Sequence, residues 1–244
     1  MHQYVLVPGA WHGAWCWARV LSLLRTAGCV SHAVTLTGVG DRAHLFSTGV
    51  RLAVHIQDVI NLIGCEELDN VVLVGHSYAG MVITGVADTL LQHERPVLQQ
   101  IVYLDAIVPH PGESWSSQQP PDAVAARIQS AMTDGGGVAI LPPDPKVFGL
   151  EAGDYEWVKR RMTPQPFGLY QEKLHFDAVR VATLPRTFID CTDPALAAIA
   201  AMRKRVREEA GWRVLELKAG HDSMISAPRQ LAELLLSCAG SRHS

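Results

Sequence analysis

Three polar side chains of this chain could together transfer an acyl group: Ser77, Asp193 and His221. A serine hydroxyl is a weak nucleophile near neutral pH and needs an imidazole within hydrogen-bond reach to take its proton. The imidazole in turn needs a carboxylate that fixes its tautomer and stabilises its cation. Ser77 stands in the run Val71-Val72-Leu73-Val74-Gly75-His76-Ser77-Tyr78-Ala79-Gly80, which is followed by a helical pattern from Met81 to Leu91. Strand, sharp turn and helix in that order present a serine on a strained bend, where small flanking residues let strand and helix approach. Gly75 and Ala79 fill those flanking places, giving G-x-S-x-A with Gly80 one position later. The plainer alternative is a serine in an ordinary strand-to-helix turn, acting as a helix cap.

His221 follows the apolar run Arg213 to Leu217 and lies in Gly220-His221-Asp222. Three carboxylates could serve it. Asp193, 28 positions before His221, follows the run Arg186 to Cys191 and is the preferred candidate; Asp105 and Asp190 also end strand-like runs. Asp193-Pro194 is equally a good N-cap followed by a proline at the first helical position, so Asp193 could do no more than start a helix.

These residues need a scaffold that brings strand ends together. Tyr4 to Val7, Cys29 to Leu36, Val71 to Val74, Gln100 to Asp105, Arg186 to Cys191 and Arg213 to Leu217 read as buried strands. Helical patterns to about Thr26, from Leu52 to Leu62, from Met81 to Leu91, from Pro194 to Glu209 and from Pro228 to Cys238 alternate with them. That alternation predicts an α/β fold with a mostly parallel, doubly wound sheet, whose sites form at the carboxyl ends of the strands. From Pro109 to about Arg180 the rhythm breaks into a proline-rich stretch with short helical pieces (Asp122 to Met132, Asp154 to Met162) and scattered large apolar residues. A long irregular insertion in a compact domain is usually functional. The expected organisation is a core of residues 1–108 and 181–244 with a helical cap, 109–180, inserted after the strand ending at Asp105.

A net charge of −3 with no basic run longer than Arg203-Lys204-Arg205, which reads as a solvated helix face, argues against nucleic acid as a partner. No apolar run approaches a membrane span, and the first strand starts at Gln3, leaving little room for a secretory leader. Five scattered cysteines without C-x-x-C spacing read as reduced thiols, so a cytoplasmic location is expected. The loop Thr37-Gly38-Val39-Gly40-Asp41-Arg42 lacks the third glycine of a dinucleotide site, because Ala43 stands there. No metal-binding histidine motif is present, and no cofactor is expected.

The stretches Leu6-Val7-Pro8-Gly9-Ala10-Trp11-His12-Gly13-Ala14-Trp15, Gly75 to Gly80, the Asp193 loop and Gly220-His221-Asp222 together resemble the α/β-hydrolases, in the branch of small plant methylesterases and hydroxynitrile lyases and, more closely, its bacterial esterases. The chain order Ser, Asp, His is that of the superfamily, in which a carboxylate after the strand following the elbow helix, here Asp105, is an alternative acid position. Pro8 departs from the histidine usual in the branch. The resemblance implies an oxyanion hole made of the backbone N–H groups of Ala10 and Tyr78, and a pocket flanked by Gly9, Trp11, His12 and His76. Of Trp11, Trp15 and Trp17, core packing is the better expectation for at least two. The function implied is hydrolysis of small apolar or aromatic carboxylic esters by a serine esterase through an acyl-enzyme, with a small-molecule ester as the partner and homodimer formation left open. The rivals are a lyase on the same scaffold and a non-catalytic binding protein. Plant hydroxynitrile lyases resembling the chain carry a hydroxyl-bearing residue at the Gly9 position and a lysine at the Asp222 position, so this sequence leans toward hydrolysis.

Overall fold

The computed structural model describes residues 2–92 and 97–239. Strand β1 (Gln3–Val7) leads through a short 3-10 turn into α1 (Ala18–Thr26), which Gly28 closes with φ 80°, a value open to glycine. Next come β2 (Val30–Ala33), α2 (Leu52–Cys65), β3 (Val71–His76), α3 (Ala79–Leu90) and β4 (Leu98–Leu104). After β4 the chain leaves the sheet through α4 (Pro121–Thr133), β5 (Ala139–Ile140), α5 (Ala152–Lys159), β6 (Gln165–Pro166) and α6 (Ala178–Val181). It returns with β7 (Arg186–Cys191), α7 (Ala200–Glu208), β8 (Trp212–Leu217), the single turn α8 (Ser223–Ser226) and α9 (Pro228–Ala239).

Six strands form one parallel sheet in the order β2-β1-β3-β4-β7-β8. The central strands are continuous apolar runs because the sheet is covered on both faces: every residue of β3 is buried. The helices that cover it show the expected stripes. In α2 the buried residues are Leu52, His55, Val59 and Ile63, spaced three or four apart, and they turn toward α3. Helix α3 is buried from Ala79 through Ala87 between α2 and strands β3 and β4. Helix α1 packs on α9, and Tyr4 of β1 donates its hydroxyl to the Leu235 carbonyl of α9 at 3.1 Å.

Strand order reverses between β1 and β3, which is where an open parallel sheet opens a crevice at its carboxyl edge. The segment between β4 and β7 reaches that edge. Strands β5 and β6 pair antiparallel, and this ribbon is tied to the loop after β1: Trp11 N–H donates to Gln165 Oε1 at 3.1 Å and the Trp11 indole N–H to the Ile140 carbonyl at 3.1 Å. The helix expected from Pro194 begins only at Ala200, after a 3-10 turn over Ala197–Ile199, so Asp193 caps no helix. Among the described residues no helix is long and apolar enough to cross a membrane.

Candidate active site

Ser77 leaves β3 with φ 55°, in the left-handed region that L-residues rarely occupy and that costs on the order of 1–3 kcal/mol. Its neighbours hold it there. The Ser77 N–H donates to the Leu104 carbonyl (3.2 Å), and its own carbonyl accepts from the N–H groups of Gly80 (3.1 Å) and Ile107 (3.0 Å). A Cβ on Gly80 would overlap the Ile107 carbonyl oxygen, and one on Gly75 would stand 2.8 Å from Ile83 and 2.9 Å from the Ala79 carbonyl. Both glycines are therefore required by close backbone approach, while Ala79 fits as it stands.

His221 sits in the loop after β8, 1 % exposed, and its Nδ1 is 2.6 Å from Oδ2 of the fully buried Asp105. This overturns the preference for Asp193. Asp105 follows β4, the strand next to β3, and turns at φ 41°, whereas Asp193 is exposed, its backbone N–H spent on the Ala219 carbonyl at 3.1 Å. The other oxygen of Asp105 accepts from Arg203 Nη2 at 2.7 Å. Asp190, the third candidate, is bound to Arg203 and Arg207 and does not face the imidazole. Arg203 thus sorts the two buried carboxylates and leaves one Asp105 oxygen for Nδ1–H. The basic run read as a solvated face is split accordingly: Lys204 is 74 % exposed, while Arg203 (13 %) and Arg205 (11 %) turn inward, the latter onto Glu113.

With Nδ1 committed to Asp105, the other ring nitrogen of His221 is the one left to take a proton. His221 and Ser77 line the same cavity. Among the described residues neither the Ala10 nor the Tyr78 backbone N–H donates to another protein group, which leaves both for a ligand oxygen. Tyr78 is anchored from behind, its hydroxyl donating to His55 Nδ1 (3.1 Å) while His55 Nε2–H donates to the Thr37 carbonyl (2.9 Å). Burial holds the His55 ring neutral, with its pKa lowered to about 4.

The expected substrate contacts are redistributed. Trp11 lines the cavity; Trp17 is buried in the core and Trp15 packs edge-on against Trp157 at 5.1 Å. His12 and His76 are each 1 % exposed and lie outside the cavity lining. His12 Nδ1–H donates to the Ala10 carbonyl (2.7 Å) and Nε2–H to Asp222 (3.1 Å). Burial disfavours its charge, but the Asp222 carboxylate and both hydrogen bonds outweigh that and raise its pKa. Asp222, fully buried, is lowered in turn: desolvation opposes its charge and His12 prevails. A buried ion pair thus ties the loop after β1 to the loop of His221. His76 Nε2–H donates to the His221 carbonyl (3.1 Å), and burial together with the neighbouring His221 drives its pKa far down. Gly9 stands behind the serine, where a Cβ would come 2.8 Å from His76 Nδ1 and 2.9 Å from Ser77 Cβ. It is a spacer and not a wall of the pocket.

The cavity encloses about 230 Å³. Its apolar wall comes from Trp11, Ile107, Trp115, Phe148, Ile199 and Met202, contributed by the loops after β1 and β4, the 109–180 segment and the start of α7. Gln119 and Arg127 add polar groups. None of the residues from the 109–180 segment could have been assigned to the site by periodicity; the only sequence signal was the density of large apolar residues there. His76, His221 and Asp222 have ligand atoms within 4.8 Å of one another, the one such group among the described residues. Hydrogen bonds to the His221 carbonyl, Asp105 and His12 engage His76 Nε2, His221 Nδ1 and Asp222 Oδ2, while His76 Nδ1 and Asp222 Oδ1 are buried without a hydrogen-bond partner among the described residues.

The sequence compares with known proteins along its whole length. The profile described as "Alpha/beta hydrolase family" matches residues 4–234. A carbendazim hydrolyzing esterase from a Nocardioides species is 40% identical over 244 residues, covering 96% of this chain and 98% of that protein. Polyneuridine aldehyde esterase from Rauvolfia serpentina is 27% identical, covering 98% of this chain and 96% of its own. Among solved structures, an extracellular α/β-hydrolase from a Paenibacillus species superposes with a TM-score of 0.85 at 23% identity, over 99% of this chain and all of the other. The sheet, the bend at Ser77 and these matches agree: the chain belongs to the α/β-hydrolase family.

Proposed function

We propose that the protein is a serine esterase that hydrolyses carboxylic esters of small apolar or aromatic compounds through an acyl-enzyme. The observation that carries this reading is a strained serine sharing an apolar cavity with a histidine whose Nδ1 is held by a buried carboxylate. Ser77 attacks the ester carbonyl, and His221 takes the hydroxyl proton and returns it to the departing alcohol. Asp105 holds the imidazole with Nδ1 protonated and stabilises the cation that forms. The backbone N–H groups of Ala10 and Tyr78 receive the oxyanion, each worth about 3 kcal/mol in the transition state. Water then repeats the cycle on the acyl-enzyme. Residues 109–180 act as a cap that supplies much of the pocket wall. The similarity to esterases over the full chain supports ester hydrolysis, and five unpaired cysteines fit a reducing cytoplasm.

Two observations at the Gly9 and Asp222 positions weigh against lyase chemistry. Asp222 is buried against His12 and turned away from the cavity, so the place after His221 supplies no cation to a leaving group. The space at Gly9 admits no side chain. The test is a panel of methyl, short-chain and aryl esters, with mandelonitrile as the lyase substrate, assayed with the native protein and Ser77→Ala. Ester turnover lost in the variant supports the reading; Ser77-dependent cyanide release exceeding ester turnover overturns it.

A further inference from the structure

The cavity wall carries two polar side chains that the hydrolytic chemistry leaves unused. Arg127, on α4, lines it together with Gln119. The guanidinium carbon lies 5.4 Å from the centre of the Trp11 ring and 5.9 Å from that of Tyr170, so the group is held over two aromatic faces, one of them a wall of the pocket. Among the described residues no carboxylate forms an ion pair with Arg127, and no carboxylate side chain lines the cavity. Arg19, Arg42, Arg180, Arg203, Arg205 and Arg207 all have such a partner. Gln119 has its Oε1 taken by the Tyr170 hydroxyl at 3.1 Å, which turns its NH2 into a second donor beside the first. These two side chains therefore offer hydrogen-bond donors and positive charge with no anion supplied by the described residues.

We propose that Arg127, with Gln119, selects esters that carry a carboxylate at the far end of an apolar or aromatic body, that is, half-esters of small dicarboxylic acids. Three features favour a carboxylate. A guanidinium presents a planar fork that matches two carboxylate oxygens. Arg127 and Gln119 are half-buried, so the pair would be screened less than one at an exposed surface. At about 230 Å³ the cavity is smaller than the ~300–1,000 Å³ of most drug-sized sites and suits one ring or a short chain between ester and anion. The substrate assignment rests on the esterase reading above; the anion site does not.

Two arms separate these claims. In the first, kcat/KM is measured for methyl benzoate and for the monomethyl esters of phthalic, isophthalic and terephthalic acid, with the native enzyme, Arg127→Gln and Arg127→Lys. At least one carboxylated ester should exceed methyl benzoate by about ten- to a hundredfold, the range of a charge-assisted pair. That ratio should collapse in Arg127→Gln, carried mainly by KM, and survive in part in Arg127→Lys. A native preference for the neutral ester, or a ratio unchanged in Arg127→Gln, overturns the proposal. In the second arm, binding of the isophthalate and terephthalate dianions to Ser77→Ala is followed by calorimetry against 0.05 and 0.5 M salt. Salt-sensitive binding that Arg127→Gln removes supports the anion site even if no ester is hydrolysed, in which case only the esterase reading fails. Binding that is absent, or indifferent to Arg127, overturns the site itself.

Discussion

Replacing Asp105 by asparagine removes one charge while keeping the shape, and the groups around it determine the outcome. The backbone should tolerate it, because asparagine is among the few residues that adopt a positive φ such as the 41° here. The side chain then has one acceptor for two donors: Arg203 Nη2 at 2.7 Å on one side and His221 Nδ1 at 2.6 Å on the other. Arg203 cannot give up its proton, and Asp190 and the Leu196 and Cys191 carbonyls hold it in place. The asparagine carbonyl therefore turns to Arg203 and its NH2 to His221. That forces the imidazole into the tautomer whose lone pair is on Nδ1 and whose proton faces Ser77, where a base is needed. Turnover of a methyl or aryl ester should fall by about 10³–10⁴, or roughly 4–5.5 kcal/mol of transition-state stabilisation. KM should change little, since Asp105 lines no part of the cavity. Asp193→Asn, at an exposed position, should stay within about twofold of the native rate. Steady-state kinetics near pH 8 on protein of native circular dichroism decides the matter. The reasoning is refuted if Asp105→Asn keeps more than about a tenth of the activity, or if Asp193→Asn is the crippling change.

Acid should weaken the fold through His55, whose pKa falls from about 6.5 in the unfolded chain to about 4 in the fold, because burial opposes its charge. The unfolded state binds more protons between those values, so this contribution is intact above pH 6.5 and about 3 kcal/mol is lost by pH 4. Urea unfolding at pH 7, 6, 5 and 4 should show a shallower decline for His55→Gln than for the native chain, and parallel declines would mean that the buried ring is not held neutral. Gly80→Ala should lower stability by about 2 kcal/mol or more and disturb the bend at Ser77, because its methyl overlaps the Ile107 carbonyl oxygen. Thermal unfolding within a degree or so of native, with full activity, would show that the backbone there yields freely.

Features that depend on local pattern are legible in the sequence. Val71 to Val74 is apolar without interruption because both faces of β3 are covered, and it ends in a bend whose small residues are readable one by one. The parallel sheet, the strained bend at Ser77 and the position of His221 after β8 are reached by such reading. The carboxylate that meets His221 is not. Asp105, Asp190 and Asp193 all come after strands, and what separates them is non-local: Arg203, nearly a hundred residues after Asp105, and the bond from Asp193 N–H to the Ala219 carbonyl. His12 and His76 sit beside site residues in the chain yet do not line the cavity. Successive side chains at a strand end point to opposite sides, and Asp222 and the His221 carbonyl supply inward partners that proximity in sequence does not disclose. Arg127 lies further beyond reach, since helix α4 belongs to an irregular segment and its register against the cavity is set by tertiary packing alone.

The central claim is that Ser77 is the nucleophile of an Asp105–His221–Ser77 relay. Its most direct test is to treat the native protein, Asp105→Asn and Ser77→Ala with a small aryl fluorophosphonate, and to locate the adduct by peptide mass spectrometry while monitoring ester turnover. One equivalent should attach to Ser77 in the native protein as activity disappears, attachment should slow by orders of magnitude in Asp105→Asn, and Ser77→Ala should remain unlabelled. An adduct on another residue that abolishes turnover, or turnover that persists once Ser77 is fully labelled, would contradict the claim.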